Sequence, residues 1–206
     1  MKNYLLFSLM LLSIACISQD FSFIDTAICP PYEAKSINCS NTSPAFVNRY
    51  NDETMNQNLV IKPGKTLIIK STVKFQKDCK IVVEPGAKLI LDGCRLTNSD
   101  CGNNMWKGIE VQGNKNLRQY PETNQGVVEI INGGTIENAV AAIRTLNSGD
   151  AHPLDFTGGI IKANRAIFKN NYSGIYFATY HNHLSNGSLT GNISYIQNCT
   201  FEINLY

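Results

Sequence analysis

The sequence predicts an all-β solenoid of stacked coils, entered through an irregular N-terminal lead-in. Three observations carry that prediction. First, the chain nearly repeats itself: IKPGKTLII (Ile61–Ile69) returns as VEPGAKLIL (Val83–Leu91), with matching positions 22 residues apart. A turn followed by an alternating apolar strand, then the same again one lap later, is the signature of stacked units. Second, RLTN (Arg95–Asn98), TIEN (Thr135–Asn138) and IFKN (Ile167–Asn170) each place an apolar residue two positions before Asn, and TFEIN (Thr200–Asn204) is a looser version. Third, the 206 residues include 24 asparagines spread along the whole chain. Asn tolerates left-handed backbone, closes turns with its own side chain, and forms ladders when identical positions stack.

Taken in order, residues 1–19 read as an export signal. Lys2 supplies the positive start, Leu5 to Ile17 is an almost unbroken apolar run, and small residues near Ala15–Ser18 offer a cleavage site before Gln19 or Asp20. The run is shorter than the ~20 apolar residues that a membrane-spanning helix needs, so no transmembrane helix is expected in the mature chain. Cys16 follows Ser13-Ile14-Ala15, which resembles a lipobox with Ser where Leu is usual. Simple secretion and a lipid anchor at Cys16 both stand, each placing the protein outside the cell or on its outer surface.

Residues 20–58 have little strand periodicity and carry Pro30-Pro31, Pro44 and many Asn and Ser. An open solenoid end exposes apolar side chains and unpaired strand edges, so this segment is expected either to cover the first coil or to serve as a flexible leader. From 59 to 206 the coils follow. LVI, TLIIKSTVKF, KIVV and AKLILDGCRL are β-rich runs bounded by Pro-Gly, Lys-Asp or Asp-Gly turns. TIENAVAAIRTL (Thr135–Leu146) could be written as a helix, but it matches the later laps better: NAVAAI and NNYSGI both reach Ile seven residues after their apolar anchor. Lap length grows from 22 to the low thirties, with Ala151–Pro153 and Tyr180–Asn192 as the added loops. The chain stops at Tyr206 within what reads as a lap, so the coils are expected to be incomplete at the C-terminus.

Composition narrows the function. Apolar residues at 43% can fill a core, while charged residues at 17% and a net charge of +2 give no footprint for nucleic acid or an anionic membrane surface. Six cysteines follow the export signal, which suits disulfides in an oxidising compartment. Cys29 with Cys39 and Cys94 with Cys101 would close short loops and leave Cys79 and Cys199 over, although six cysteines allow fifteen pairings. No CxxC spacing supports zinc.

The laps PGKTLII and PGAKLIL, the segment MWKGIEVQG (Met105–Gly113), and the TIENAVAAI and AIFKNNYSGI pair together resemble right-handed single-stranded parallel β-helix domains of the pectin-lyase-like kind. More narrowly they are similar to large secreted or surface proteins of Bacteroidetes, with this chain as an N-terminal portion. The resemblance implies architecture and leaves activity open, because such folds carry lyases, hydrolases, adhesins and stalks alike.

A search for chemistry yields little. Asp92, Asp100, Asp150 and Asp155 are scattered, and no DD or DxD pair occurs. No catalytic residue is assigned. A lyase would draw on Arg144 or Arg165 with Asp150 or Asp155, and only that reading would call for calcium as a cofactor. His181-Asn-His183 lacks a third ligand, so no metal site is assigned. Trp106, the single tryptophan, either stacks on a sugar ring or covers the coil interior. Tyr172, Tyr176 and Tyr180, with Tyr195 nearby, crowd the last laps and would form an aromatic strip if the coils aligned them. The expected function is a non-catalytic adhesin or binding stalk, with a polysaccharide or cell-surface glycan as its partner. The alternative is a polysaccharide lyase or glycoside hydrolase whose catalytic coils lie beyond residue 206.

Overall fold

The computed structural model describes residues 24–25, 46–49, 53–99 and 104–204, with side chains described from residue 54 onward. Its strands arrange as six coils, each giving one strand to each of three sheets. The first coil comprises β1 (Ile24–Asp25), β2 (Phe46–Arg49) and β3 (Glu53–Met55). The second comprises β4 (Leu59–Ile61), β5 (Thr66–Ile69) and β6 (Thr72–Phe75). The third has β7 (Lys80–Val83), β8 (Lys88–Asp92) and β9 (Arg95–Asn98). In the fourth are β10 (Trp106–Val111), β11 (Val127–Ile131) and β12 (Thr135–Glu137). The fifth holds β13 (Ala139–Arg144), β14 (Ile160–Asn164) and β15 (Ile167–Lys169), and the sixth β16 (Ser173–Tyr176), β17 (Tyr195–Gln197) and β18 (Thr200–Glu202). Sheet A is β1-β4-β7-β10-β13-β16, sheet B is β2-β5-β8-β11-β14-β17, and sheet C is β3-β6-β9-β12-β15-β18. This is the right-handed single-stranded parallel β-helix that the sequence predicts.

One pairing departs from the parallel rule. β1 runs antiparallel on β4, with Ile24 opposite Ile61 and Asp25 opposite Val60, so it covers the exposed edge of sheet A. β2 and β3 already pair in parallel with β5 and β6. Parallel pairing therefore begins at Phe46, within the 20–58 stretch read as a lead-in.

The two sequence repeats are the stacking registers themselves. Leu67 lies opposite Leu89 and Ile69 opposite Leu91, while Leu96, Ile136, Phe168 and Phe201 form one continuous ladder in sheet C. In sheet A, Leu59, Ile81, Ile109 and Ile143 stack and are fully buried, with Ile175 half-buried at the end. Thr135–Leu146, the possible helix, is β12 followed by β13. Removing each such aliphatic side chain from water stabilises the stack by about 1.5–3 kcal/mol.

The Pro-Gly pairs make type II turns at the corner between sheets A and B. Lys65 donates to the Lys62 carbonyl and Ala87 to that of Glu84, with Gly64 and Gly86 at φ +76° and +82°. The two turns bond to one another through the Gly64 N–H and the Gly86 carbonyl, 2.8 Å apart.

Ion pairs clamp the outside. Among the described residues, Lys62–Glu84, Lys70–Asp92, Lys80–Glu110, Lys88–Glu129, Arg95–Glu137, Lys107–Asp78, Lys115–Asp155, Lys162–Glu122 and Lys169–Glu202 each join neighbouring coils. Such pairs contribute little singly at a solvated surface, but they explain how near-equal numbers of acids and bases cover the rod.

Two expectations are corrected here. Cys94 carries a free thiol, packed in the core and 2% exposed, so it is not paired with Cys101. It occupies a column of small corner residues that runs Ser71, Cys94, Gly134, Ala166 and Cys199, each of the first four accepting a hydrogen bond from the coil above. A side chain there must be compact, which suits Cys for packing alone. Cys79, expected to be left over, is disulfide-bonded. Cys16, Cys29, Cys39 and Cys101 lie outside the described residues, as does the export signal.

Candidate functional site

Among the described residues, three long insertions leave the solenoid at one corner, the one that Pro63-Gly64 and Pro85-Gly86 close tightly in earlier coils. They span residues 112–126, 145–159 and 177–194. Buried amides lock them together. Gln119 accepts from the Ile193 N–H and donates to the Gly158 carbonyl, both at 2.9 Å, and its own N–H donates to Asn182 Oδ1 at 3.0 Å. Gln125, fully buried, accepts from the Asn114 N–H at 2.7 Å and donates to the Leu117 carbonyl at 2.6 Å. An unpaired buried amide would cost about 1–3 kcal/mol, so this saturation holds the loops as one body.

Beside this cluster, on the outer face of sheet A, lies a groove of about 430 Å³. Its floor is Val140, Ala141 and Ser173, its aromatic walls are Tyr172 and Tyr176, and Arg144, Leu146, Ser148 and Pro153 complete it. A β-bulge shapes the floor. The register between β10 and β13 shifts between Gly108 and Ile109, so Gly108 pairs with Ala141 but Ile109 with Ile143. Ala142 and Ile143 consequently both face the core, while Val140 and Ala141 both border the groove. Bulges of this kind re-aim side chains next to sites. Gly108 is required: its φ is +92°, and a Cβ would stand 1.6 Å from the Ala141 carbonyl oxygen.

The aromatic residues separate sharply. Tyr172 is 85% exposed and Tyr176 52%, and both belong to the groove. Tyr180 stands apart, packed against Gly158 with its hydroxyl donating to the Leu117 carbonyl, and burial raises its pKa. Tyr195 is on β17 in sheet B. An axial strip of tyrosines does not form; instead two tyrosines flank one strand. Trp106 is fully buried, stacked on Phe75 at 4.4 Å with its indole N–H donating to the Glu137 carbonyl at 2.9 Å. It covers the coil interior and offers no face to a sugar.

The charged candidates do not gather. Arg144 sits in register between Glu110 and Tyr176 and donates weakly to the Lys107 carbonyl at 3.5 Å. Asp155 pairs with Lys115 across two loops, a bond that holds its carboxyl below the usual range. Asp150 accepts from the His152 N–H within its own turn. Arg165 closes the corner between sheets B and C at φ +59°. His181 and His183 belong to the third insertion, and no group of three metal-binding side chains occurs among the described residues. Asp100 lies outside them.

Sequence reasoning missed Lys80 and Glu110. Glu110 points outward from β10 yet its side chain is only 3% exposed, paired with Lys80 Nζ at 2.9 Å and capped by Ser148, whose hydroxyl and N–H both donate to Oε1. A lone Glu in MWKGIEVQG gives no such signal; the 30-residue separation of the ion pair hides it. Comparison with family models, curated proteins and solved structures found no match for this chain.

Proposed function

We propose that this chain forms part of a secreted or surface-displayed, non-catalytic β-helix stalk that binds saccharide in the groove on sheet A. One observation carries the reading: Tyr172 and Tyr176, both solvent-exposed, flank a recess with a small, shallow floor. Exposed tyrosines present a large apolar ring with a polar tip, which suits the apolar faces and hydroxyl rims of sugars. Arg144 brings guanidinium donors to the same place.

The acids considered for a lyase support the stalk over an enzyme, since Asp150 and Asp155 are committed to a turn and to an ion pair. The disulfide at Cys79 supports export, because such bonds persist in oxidising compartments. Among the described residues no helix is long and apolar enough to cross a membrane. The likeness to Bacteroidetes surface proteins extends the same reading to the cell exterior.

Screening the purified protein on a glycan array, followed by titration calorimetry on the best ligand, tests this. Tyr172→Ala and Tyr176→Ala are expected to weaken binding by about 0.5–1.5 kcal/mol each, whereas Tyr180→Phe leaves it unchanged. Binding that survives the Tyr172→Ala, Tyr176→Ala double variant overturns the groove as the site.

A further inference from the structure

We infer that the groove is blind, and that it takes the end of a glycan chain or a short oligosaccharide and excludes the interior of a polymer lying along the rod. The inference rests on the groove being a saccharide site. It comes from where the loop at 145–159 is laid down.

The aromatic surface does not continue along the axis. In sheet A the outward column that ends at Tyr176 runs back through Arg144, Glu110, Val82 and Val60, one residue per coil. With coils about 4.8 Å apart, a polymer following that column meets one tyrosine and then a guanidinium. Beyond Arg144 it meets the loop itself. Ser148 donates to Glu110 Oε1 through both its hydroxyl and its N–H, which places the loop backbone directly over the outer face of β10. The loop also covers the head of the ion pair, since a Cβ on Gly149 would lie 3.7 Å from the Lys80 Nζ that bonds Glu110. Leu146 and Pro153 of the same loop close the groove at the corner with sheet B.

The barrier is built to stay. Gly149 N–H bonds to Asn147 Oδ1 and Asp150 N–H to the Asn147 carbonyl, so the segment is internally tied. Glu110, buried and paired with Lys80, offers Ser148 an acceptor that water does not reach. Glu110 thus acts as a positioning residue: it touches no ligand and fixes the wall that decides ligand length.

The test is a chain-length series. Mono-, di-, tri- and hexasaccharides and the polymer of the array's best ligand are titrated against wild type, Ser148→Ala and Glu110→Gln, with hydrogen exchange of residues 146–150 followed in parallel. In wild type, affinity is expected to level off at a short oligosaccharide, and the polymer to bind only in proportion to its chain ends. Ser148→Ala is expected to speed exchange in the loop and to raise polymer affinity relative to the short ligand; Glu110→Gln does the same if it folds. Affinity that keeps rising with length in wild type overturns the blind groove while leaving saccharide binding intact. A length profile in Ser148→Ala identical to wild type despite faster exchange overturns the role of the Glu110–Ser148 contact. Failure of every saccharide to bind overturns the functional reading and this inference together.

Discussion

The indole N–H of Trp106 reaches across to the backbone carbonyl of Glu137, 2.9 Å away, tying the start of β10 to the end of β12. The Glu137 side chain meanwhile faces outward, where Thr97 donates to it at 2.8 Å and Arg95 pairs with it. One residue thus serves the interior through its backbone and the surface through its carboxylate. Trp106→Ala is expected to lose about 3–5 kcal/mol of stability through the cavity beside Phe75. Trp106→Phe keeps the stacking and loses nearer ~1 kcal/mol, the worth of the hydrogen bond. Urea unfolding followed by circular dichroism measures both, and saccharide affinity at low denaturant should not change in either.

Two glycines with similar backbone angles should respond very differently. At Gly108 an added Cβ collides with the Ala141 carbonyl, so Gly108→Ala is expected to abolish the bulge and prevent folding of the fourth and fifth coils. Around Gly64 nothing lies within 4 Å, leaving only the left-handed strain of φ +76°. Gly64→Ala should therefore cost about 1–2 kcal/mol and yield a folded protein. Equal losses for the two would show that the bulge can be rebuilt.

The coil stacking was legible because the inward positions repeat in type as well as spacing. Leu67 over Leu89 and Phe168 over Phe201 are visible as a 22-residue and a 33-residue echo. The groove was only half legible. Tyr172 and Tyr176 stood out as aromatics, but the floor beside them is set by the bulge at Gly108, and nothing local distinguishes that glycine from a turn glycine. Trp106 could be read either way until its partners Phe75 and Glu137, remote in sequence, were placed. Glu110 was invisible because its partners come from two other coils.

Burial pushes the Cys94 thiol from its ordinary 9.0 up to about 12. The folded thiol keeps its proton where the unfolded one has lost it, so stability falls as pH rises above about 9. The loss is about 1.4 kcal/mol per pH unit until the folded value is reached. Cys94→Ala should flatten that slope relative to wild type. A thiol reagent near neutral pH should label half-exposed Cys199 in the native protein and Cys94 only on unfolding. Rapid native labelling of Cys94 would contradict its burial.

On the acid side the carboxylates set the limit. The hydrogen bond from Lys107 lowers the Asp78 pKa, and those from Lys70 and then Asn132 lower that of Asp92, both below the ordinary 3.8. Their contribution is complete above 3.8 and is lost as pH falls through the lowered folded values. Unfolding midpoints on either side of that pH should diverge in low salt and converge in high salt, since these pairs are solvated. Lys70→Met should remove the part due to Asp92. A divergence untouched by salt would assign the acid loss elsewhere.

Because every long loop among the described residues springs from the corner that a Pro-Gly turn closes in earlier coils, variation in this rod is directional. Lengthening or exchanging a loop there leaves the other two corners, their left-handed Asn138, Asn170 and Asn198 turns, and the interior ladders untouched. The rod can therefore acquire a new surface along one ridge without renegotiating its fold, as a handle keeps its grip while the blade is changed.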